Sequence, residues 1–173
     1  LREQVGQARA AYLQLANLGT ESKNQVLHAF AKALRANTSK ILEANALDVV
    51  EAEKMVQSGE LSESACKRVM LNEAKVELMA QNCESVAKLE DPVGKVLQAT
   101  RLDEGLDLYR VSCPIGVVLV IFESRPDVVV QISALAVKSG NAVILKGGRE
   151  AVHSNRALAE ILRQTADDFE EMP

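Results

Sequence analysis

The spacing of apolar positions changes near residue 90. Before it, apolar residues recur about every three or four positions, the period of a helix with one buried face. Val26, Leu27, Phe30, Ala31 and Leu34 make one such stripe. Ile41, Leu42, Val49 and Val50 make a second, and Val76, Met79, Ala80, Cys83, Val86 and Ala87 a third. Thr20, Thr38 and Asn72 stand ahead of periodic runs and are residue types that cap helix N-termini, so they mark predicted starts. Gly19 and Gly59 mark predicted stops. Residues 1–90 therefore predict about four or five helices with short joints.

Asp91-Pro92 breaks the helical pattern. Two extended stretches follow, 95–101 and 106–112, separated by Asp103-Glu104-Gly105. That turn chemistry and the alternation of Leu106, Leu108 and Arg110 predict a β-hairpin over 91–113. A lone two-stranded ribbon is marginal, so it is expected to pack on another sheet or subunit. Val117 to Phe122 is a continuous apolar run, which predicts a strand buried on both faces. Pro126 suits the first turn of a helix. The helix predicted over 127–139 is apolar on most sides and should be buried, with Gly140 ending it. Residues 142–145 predict a second buried strand, and Lys146-Gly147-Gly148 a loop. Residues 152–169 predict a helix with Ala157, Leu158, Ile161, Leu162 and Phe169 inward. Strand, helix, strand, helix with short loops over 114–173 is the pattern of a parallel α/β sheet. A third strand is expected after Met172-Pro173, outside this sequence.

Composition narrows the class. The chain has 173 residues, is 47% hydrophobic and carries a net charge of −4. That supports one packed domain and argues against disorder. It also argues against nucleic acid or a membrane surface as a partner. No apolar run approaches the ~18 residues of a membrane span, and the N-terminal LREQVGQARA lacks the apolar core of a secretory signal. A chain starting at Leu1 reads as a fragment or a processed product. Cys66, Cys83 and Cys113 form no C-x-x-C pair, which fits a reducing compartment and, with only His28 and His153 besides, argues against structural zinc.

In open parallel sheets, ligands bind beyond the carboxyl ends of the strands. Two polar clusters sit there: Glu123-Ser124-Arg125-Pro126-Asp127 and Lys146-Gly147-Gly148-Arg149-Glu150. Neither is a dinucleotide fingerprint or a P-loop. Glycines, helix N-termini and cations together suit an anionic ligand such as a phosphate. The plainer alternative is that Arg125 and Lys146 pair with Asp127 and Glu150 as structural ions.

The segment IFESRPDVVVQISALAVKSGNAVILKGGREAVHSN (121–155) resembles the gamma-glutamyl phosphate reductase family. That family also occurs as the C-terminal half of bifunctional delta-1-pyrroline-5-carboxylate synthase. ILEANALDV (41–49), DPVGKVL (91–97) and PIGVVLVIFESRP (114–126) extend the resemblance over the whole chain, which covers only the N-terminal part of such a reductase. The resemblance implies an α/β fold with N-terminal helices, a β-hairpin and the first β-α-β-α part of an aldehyde-dehydrogenase-type, Rossmann-like sheet. It places 1–173 in one NADP-binding domain. It implies NADPH-dependent reduction of L-glutamyl 5-phosphate to L-glutamate 5-semialdehyde with phosphate release, in proline biosynthesis. By the same resemblance Phe122, Glu123, Ser124, Lys146, Gly147, Gly148, Arg149 and Glu150 approach NADP. Ser124 is a candidate oxyanion donor, with the register against Glu123 open by one residue. Arg125 is a candidate for the substrate's phosphate or carboxylate. Lys146, with Arg149, suits a 2′-phosphate, and Glu150 suits ribose hydroxyls.

The family's nucleophilic cysteine lies in a catalytic domain downstream, and none of the three cysteines here matches it. Cys83, Cys66 and Cys113 read as structural, so this chain alone is expected to be inactive. His28 reads as a surface residue; His153, Ser154 and Asn155 read as capping or packing residues at a helix start. Asp167, Asp168, Glu170 and Glu171 read as a solvated end. The resemblance further implies a homo-oligomer, a glutamate kinase fused or separate, and a cytoplasmic location, or a mitochondrial one if the source is a bifunctional eukaryotic protein. Two other readings are a non-catalytic helical interaction module or truncated family member, and an aldehyde dehydrogenase relative with a different acyl substrate.

Overall fold

The computed structural model describes residues 2–169. Five helices come first: α1 (Arg2–Leu15), α2 (Thr20–Ala36), α3 (Thr38–Gln57), α4 (Glu63–Val69) and α5 (Glu73–Lys88). Strands β1 (Val96–Asp103) and β2 (Leu106–Val111) form the hairpin. Then come β3 (Val117–Ile121), α6 (Asp127–Lys138), β4 (Ala142–Lys146), a 3₁₀ turn (Arg149–Ala151) and α7 (Val152–Asp167). Glu170 and Glu171 lie outside the described residues; Asp167 and Asp168 are exposed. No helix among the described residues is long and apolar enough to cross a membrane.

The stripes on α2 and α5 are buried as their spacing predicts, and they pack on each other. One core joins them to Ile41 of α3, Val129, Val130 and Ala134 of α6, and Leu158, Ile161 and Leu162 of α7. The stripe predicted for α3 holds only at its start, where Ile41 is buried and Leu42 packs against the core. Val50 is exposed, and the buried face is Ile41, Asn45, Asp48 and Ala52. Two polar residues sit on a core face because each finds hydrogen-bond partners there, described below.

The helix starts differ in detail. Asn72 caps α5, accepting from the Lys75 amide at 2.9 Å. Thr20 opens α2 but caps nothing; its hydroxyl donates to Asp91 at 2.9 Å. The Thr38 hydroxyl turns back onto the carbonyls of Leu34 and Arg35. Gly19 is the N-cap of α2, not the stop of α1, whose end is closed by backbone bonds from Ala16 and Asn17. Ser62, unpredicted, caps α4.

β1 and β2 pair antiparallel around Glu104-Gly105, with Gly105 at φ +75°, a region that favours glycine in such turns. Both strands are exposed along their length, and among the described residues they meet no second sheet. β3 and β4 pair in parallel, from Val117 opposite Ala142 to Ile121 opposite Lys146. Asn141 sets that register: its Oδ1 accepts from the Gly116 amide at 2.8 Å, and the Gly116 carbonyl accepts from the Ala142 amide at 3.0 Å. Gly140 ends α6 at φ +68°, where a Cβ would also lie 3.1 Å from Pro114 Cγ.

β3 is not buried on both faces. Leu119 is 55% exposed and Ile121 65% exposed, while Val118 and Val120 are half-buried. Only β4 pairs with it among the described residues. An apolar run records the cover a strand suits, and here the cover over Leu119 and Ile121 is incomplete. In β4, Ala142 is buried and Val143 to Leu145 half-buried. α6 is largely buried, with Leu135 outward.

Candidate functional site

Parallel pairing brings the two carboxyl ends side by side. Ile121 faces Lys146, and the Phe122 amide donates to the Lys146 carbonyl at 3.1 Å. Residues 122–126 and 146–151 therefore share one edge of the sheet. Glu123, Arg125, Lys146 and Arg149 are exposed there, so the edge is open to a ligand.

The two turns are tied by Ser124 and Glu150. Among the described residues Ser124 is the one non-glycine with positive φ, at +54°. That left-handed conformation disfavours side chains other than small polar ones. Its amide and its hydroxyl both donate to Glu150 Oε1, the hydroxyl at 3.2 Å. Ser124 is 3% exposed and Glu150 6%, so this carboxylate is stabilised by bonds inside the molecule.

The two glycines are required by close approach. A Cβ on Gly148 would overlap the Glu150 carboxylate. One on Gly147 would overlap the Asn155 amide nitrogen and lie 3.3 Å from Phe122 Cε2. Asn155 Oδ1 is buried with no hydrogen-bond partner. The room a Cβ would take at each glycine is thus filled by Asn155 and Glu150, beside an exposed face edged by Lys146 and Arg149. Neither cation makes an ion pair or side-chain hydrogen bond among the described residues. The structural-ion alternative fails on the same ground: Glu150 takes Ser124, and Asp127 takes the Gln131 amide at 3.0 Å. Unpaired cations suit the phosphates of a phosphorylated dinucleotide, and the unpartnered Asn155 oxygen suits one of its hydroxyl or amide donors.

Sequence reasoning missed Asn45 and Asp48. Asp48 is fully buried; its Oδ1 accepts from the His153 amide at 2.9 Å and its other oxygen from the Ser154 amide at 2.6 Å. Asn45 donates to Val69 O and Ser154 Oγ, both at 2.9 Å, and accepts from the Leu71 amide at 2.7 Å. A side chain from α3 thus satisfies the amides that open α7, work that Ser154 and Asn155 do not do for their own helix. The available signal was spacing: Asn45 and Asp48 lie four and seven positions after Ile41, on its face. The His153 ring nitrogen Nε2 lies 3.9 Å from Glu51, and His28 is exposed. Asp48, Glu51 and His153 could converge on a cation, but the Asp48 carboxylate is already engaged by two amides.

None of the chain's three cysteines stands at these turns. Cys66 and Cys83 are buried, and burial pushes the Cys83 thiol up to about 11. Cys113 is exposed, not packed, and precedes β3 at the end opposite the two turns.

The family model that matches, that of the aldehyde dehydrogenase family, spans residues 1–168. The chain belongs to the aldehyde dehydrogenase family. Within it the chain is 50% identical over 165 residues to gamma-glutamyl phosphate reductase of Natronomonas pharaonis, covering 95% of this chain and 38% of that protein. It is 46% identical to the same-named protein of Methanococcoides burtonii, covering all of this chain and 38% of that one. The crystal structure of gamma-glutamyl phosphate reductase from Thermotoga maritima superposes with a TM-score of 0.90 at 38% identity, over 99% of this chain and 40% of that one. The Saccharomyces cerevisiae structure gives 0.88 at 46% identity, over 94% and 40%. The chain therefore spans about two fifths of the length of these relatives. A probable aldehyde dehydrogenase from Listeria monocytogenes, 15% identical with a TM-score of 0.69, shares the fold. The mixed α/β architecture of helices and small sheets is that of the aldehyde dehydrogenases.

Proposed function

We propose that the complete gene product containing this chain reduces L-glutamyl 5-phosphate to L-glutamate 5-semialdehyde with release of phosphate, in proline biosynthesis, and that this chain carries the NADPH side of the site. The observation that carries the reading is the adjoining pair of turns, 122–126 and 146–151, with exposed, unpaired cations at one open sheet edge. NADPH, when bound, supplies the two reducing electrons. Lys146 and Arg149 bind the phosphorylated ribose of the cofactor, and Gly147 and Gly148 let the turn between them fold closely over Asn155 and Glu150. Phe122 and Glu123 flank it. Glu150 holds the Ser124 turn in place and reaches ribose hydroxyls through its second oxygen. Ser124 donates to the developing oxyanion when its hydroxyl leaves Glu150. Arg125 orients the acidic end of the substrate. The nucleophilic thiolate comes from outside residues 1–173, so these residues alone give no turnover. The exposed hairpin is the part offered to a second copy.

NADPH titration of the complete gene product tests the reading. Lys146→Ala is expected to weaken binding by roughly 1–3 kcal/mol, the loss of a charge-assisted contact. Unchanged affinity removes Lys146 from the site. Arg125→Lys is expected to impair turnover of glutamyl phosphate more than NADPH affinity, and equal effects reject its substrate role.

A further inference from the structure

Next to the sheet edge lies a cavity of about 250 Å³ between α4, α5 and the start of α6. Its polar lining is Arg68, Lys75, Asn82, Arg125, Asp127 and Gln131, with an apolar wall from Leu78 and Met79. Arg125, the residue after Ser124, forms part of its wall. The volume lies below the ~300–1,000 Å³ typical of small-molecule pockets, so it suits the head of an amino acid and not a dinucleotide.

The charges make a pattern. Arg68 and Arg125 make no ion pair among the described residues. The Lys75 side chain donates to the Met70 carbonyl and has no carboxylate partner among the described residues. Asp127, half-buried, is opposed only by the Gln131 amide, at 3.0 Å on Oδ2. A pocket for phosphate alone would hold cations and no carboxylate, because Asp127 repels a dianion. Cations together with one carboxylate and two amides complement a ligand that carries both signs. Leu78 and Met79 give its methylene groups an apolar face.

We infer that this cavity reads the amino-acid end of the substrate, Arg68 and Arg125 taking the α-carboxylate and Asp127 the α-ammonium. The inference rests on the reductase reading above and adds a reason for selecting an α-amino acid over a plain dicarboxylic acyl phosphate.

The test compares kcat/KM of the complete gene product for L-glutamyl 5-phosphate and for its des-amino analogue, glutaryl phosphate. Wild type is expected to prefer the glutamyl compound by about tenfold or more, the scale of one charged hydrogen bond. In Asp127→Asn that preference falls below about threefold. Arg68→Gln raises KM for both compounds together, since both carry the carboxylate, and leaves their ratio standing. NADPH titration of each variant reports whether the fold persists, and Arg68→Gln, on an exposed position, keeps the test open if Asp127→Asn does not fold. A preference kept in Asp127→Asn, or an unchanged KM in Arg68→Gln, overturns the inference while leaving the reductase reading intact. A wild type that turns over neither acyl phosphate overturns the reductase reading and this inference with it.

Discussion

Glu150 is the side chain on which the geometry of the two turns depends. It is buried, it accepts from both donors of Ser124, and Gly148 makes room for it. Removing the acceptor leaves two buried donors unpaired, which costs far more than a single surface bond. Glu150→Leu is expected to lower stability by about 3 kcal/mol, and Glu150→Gln, which keeps a carbonyl acceptor, by about 1 kcal/mol. Urea unfolding of both variants checks this; equal losses would show that charge, not the acceptor, holds Ser124. That the glycines form a loop after the second strand was legible. That Gly148 is needed by a carboxylate two positions on was not, because composition carries no information on how the loop folds back. Ser124 was singled out as a donor, yet its hydroxyl is engaged by a residue 26 positions away.

Among the helices, α3 departs most from its pattern. A polar residue on a core face is unfavourable unless every bond is made. Asn45 makes three, to α7, to the last residue of α4 and to the stretch linking α4 and α5. Asn45→Ala is expected to cost about 2–4 kcal/mol. Asp48 caps a helix to which it does not belong, so its loss should loosen the start of α7 before the rest. In Asp48→Ala, amide exchange at His153 and Ser154 is expected to speed up by at least tenfold while the amides of Ile161 and Leu162 change less. Uniform acceleration along α7 would show that Asp48 supports the core as a whole. This places α3, far along the chain from the site loop, in control of the segment that follows it.

Across the molecule, a buried ion pair joins the start of α2 to the joint before the hairpin. Lys23 is 1% exposed and lies 3.0 Å from Asp91, which also accepts from Thr20 and the Val93 amide. Burial pushes the Asp91 carboxyl up, but the Val93 amide, Lys23 and Thr20 together outweigh it and hold the group below the ordinary aspartate range. A lowered folded value means stability that is full above the unfolded value and lost as pH falls through the folded one. Urea midpoints should therefore drop below about pH 5, and drop less steeply in Asp91→Asn. Parallel curves would show that other carboxylates govern acid unfolding. Asp91→Ala, which strands the Lys23 charge, is expected to cost about 3 kcal/mol at neutral pH. The Arg35 fork to Glu77 and Glu84 also links α2 to α5, and its bond to Glu77 lowers that carboxyl to about 2. Being exposed, it should respond to salt while the Lys23 pair does not.

The helical stripes of α2 and α5, the Glu104-Gly105 turn, the Gly140 stop and the strand–helix alternation were all readable along the chain. Each depends on residues a few positions apart, where period and turn chemistry act directly. The motif at 121–155 was readable for the same reason, since its letters are contiguous. The inward face of α3, the cap on α7, the clasp of Ser124 by Glu150 and the charged cavity beside Arg125 were not. Their partners are up to 109 positions apart. A polar side chain facing a core looks like a misfit until folding brings its partner within hydrogen-bond distance.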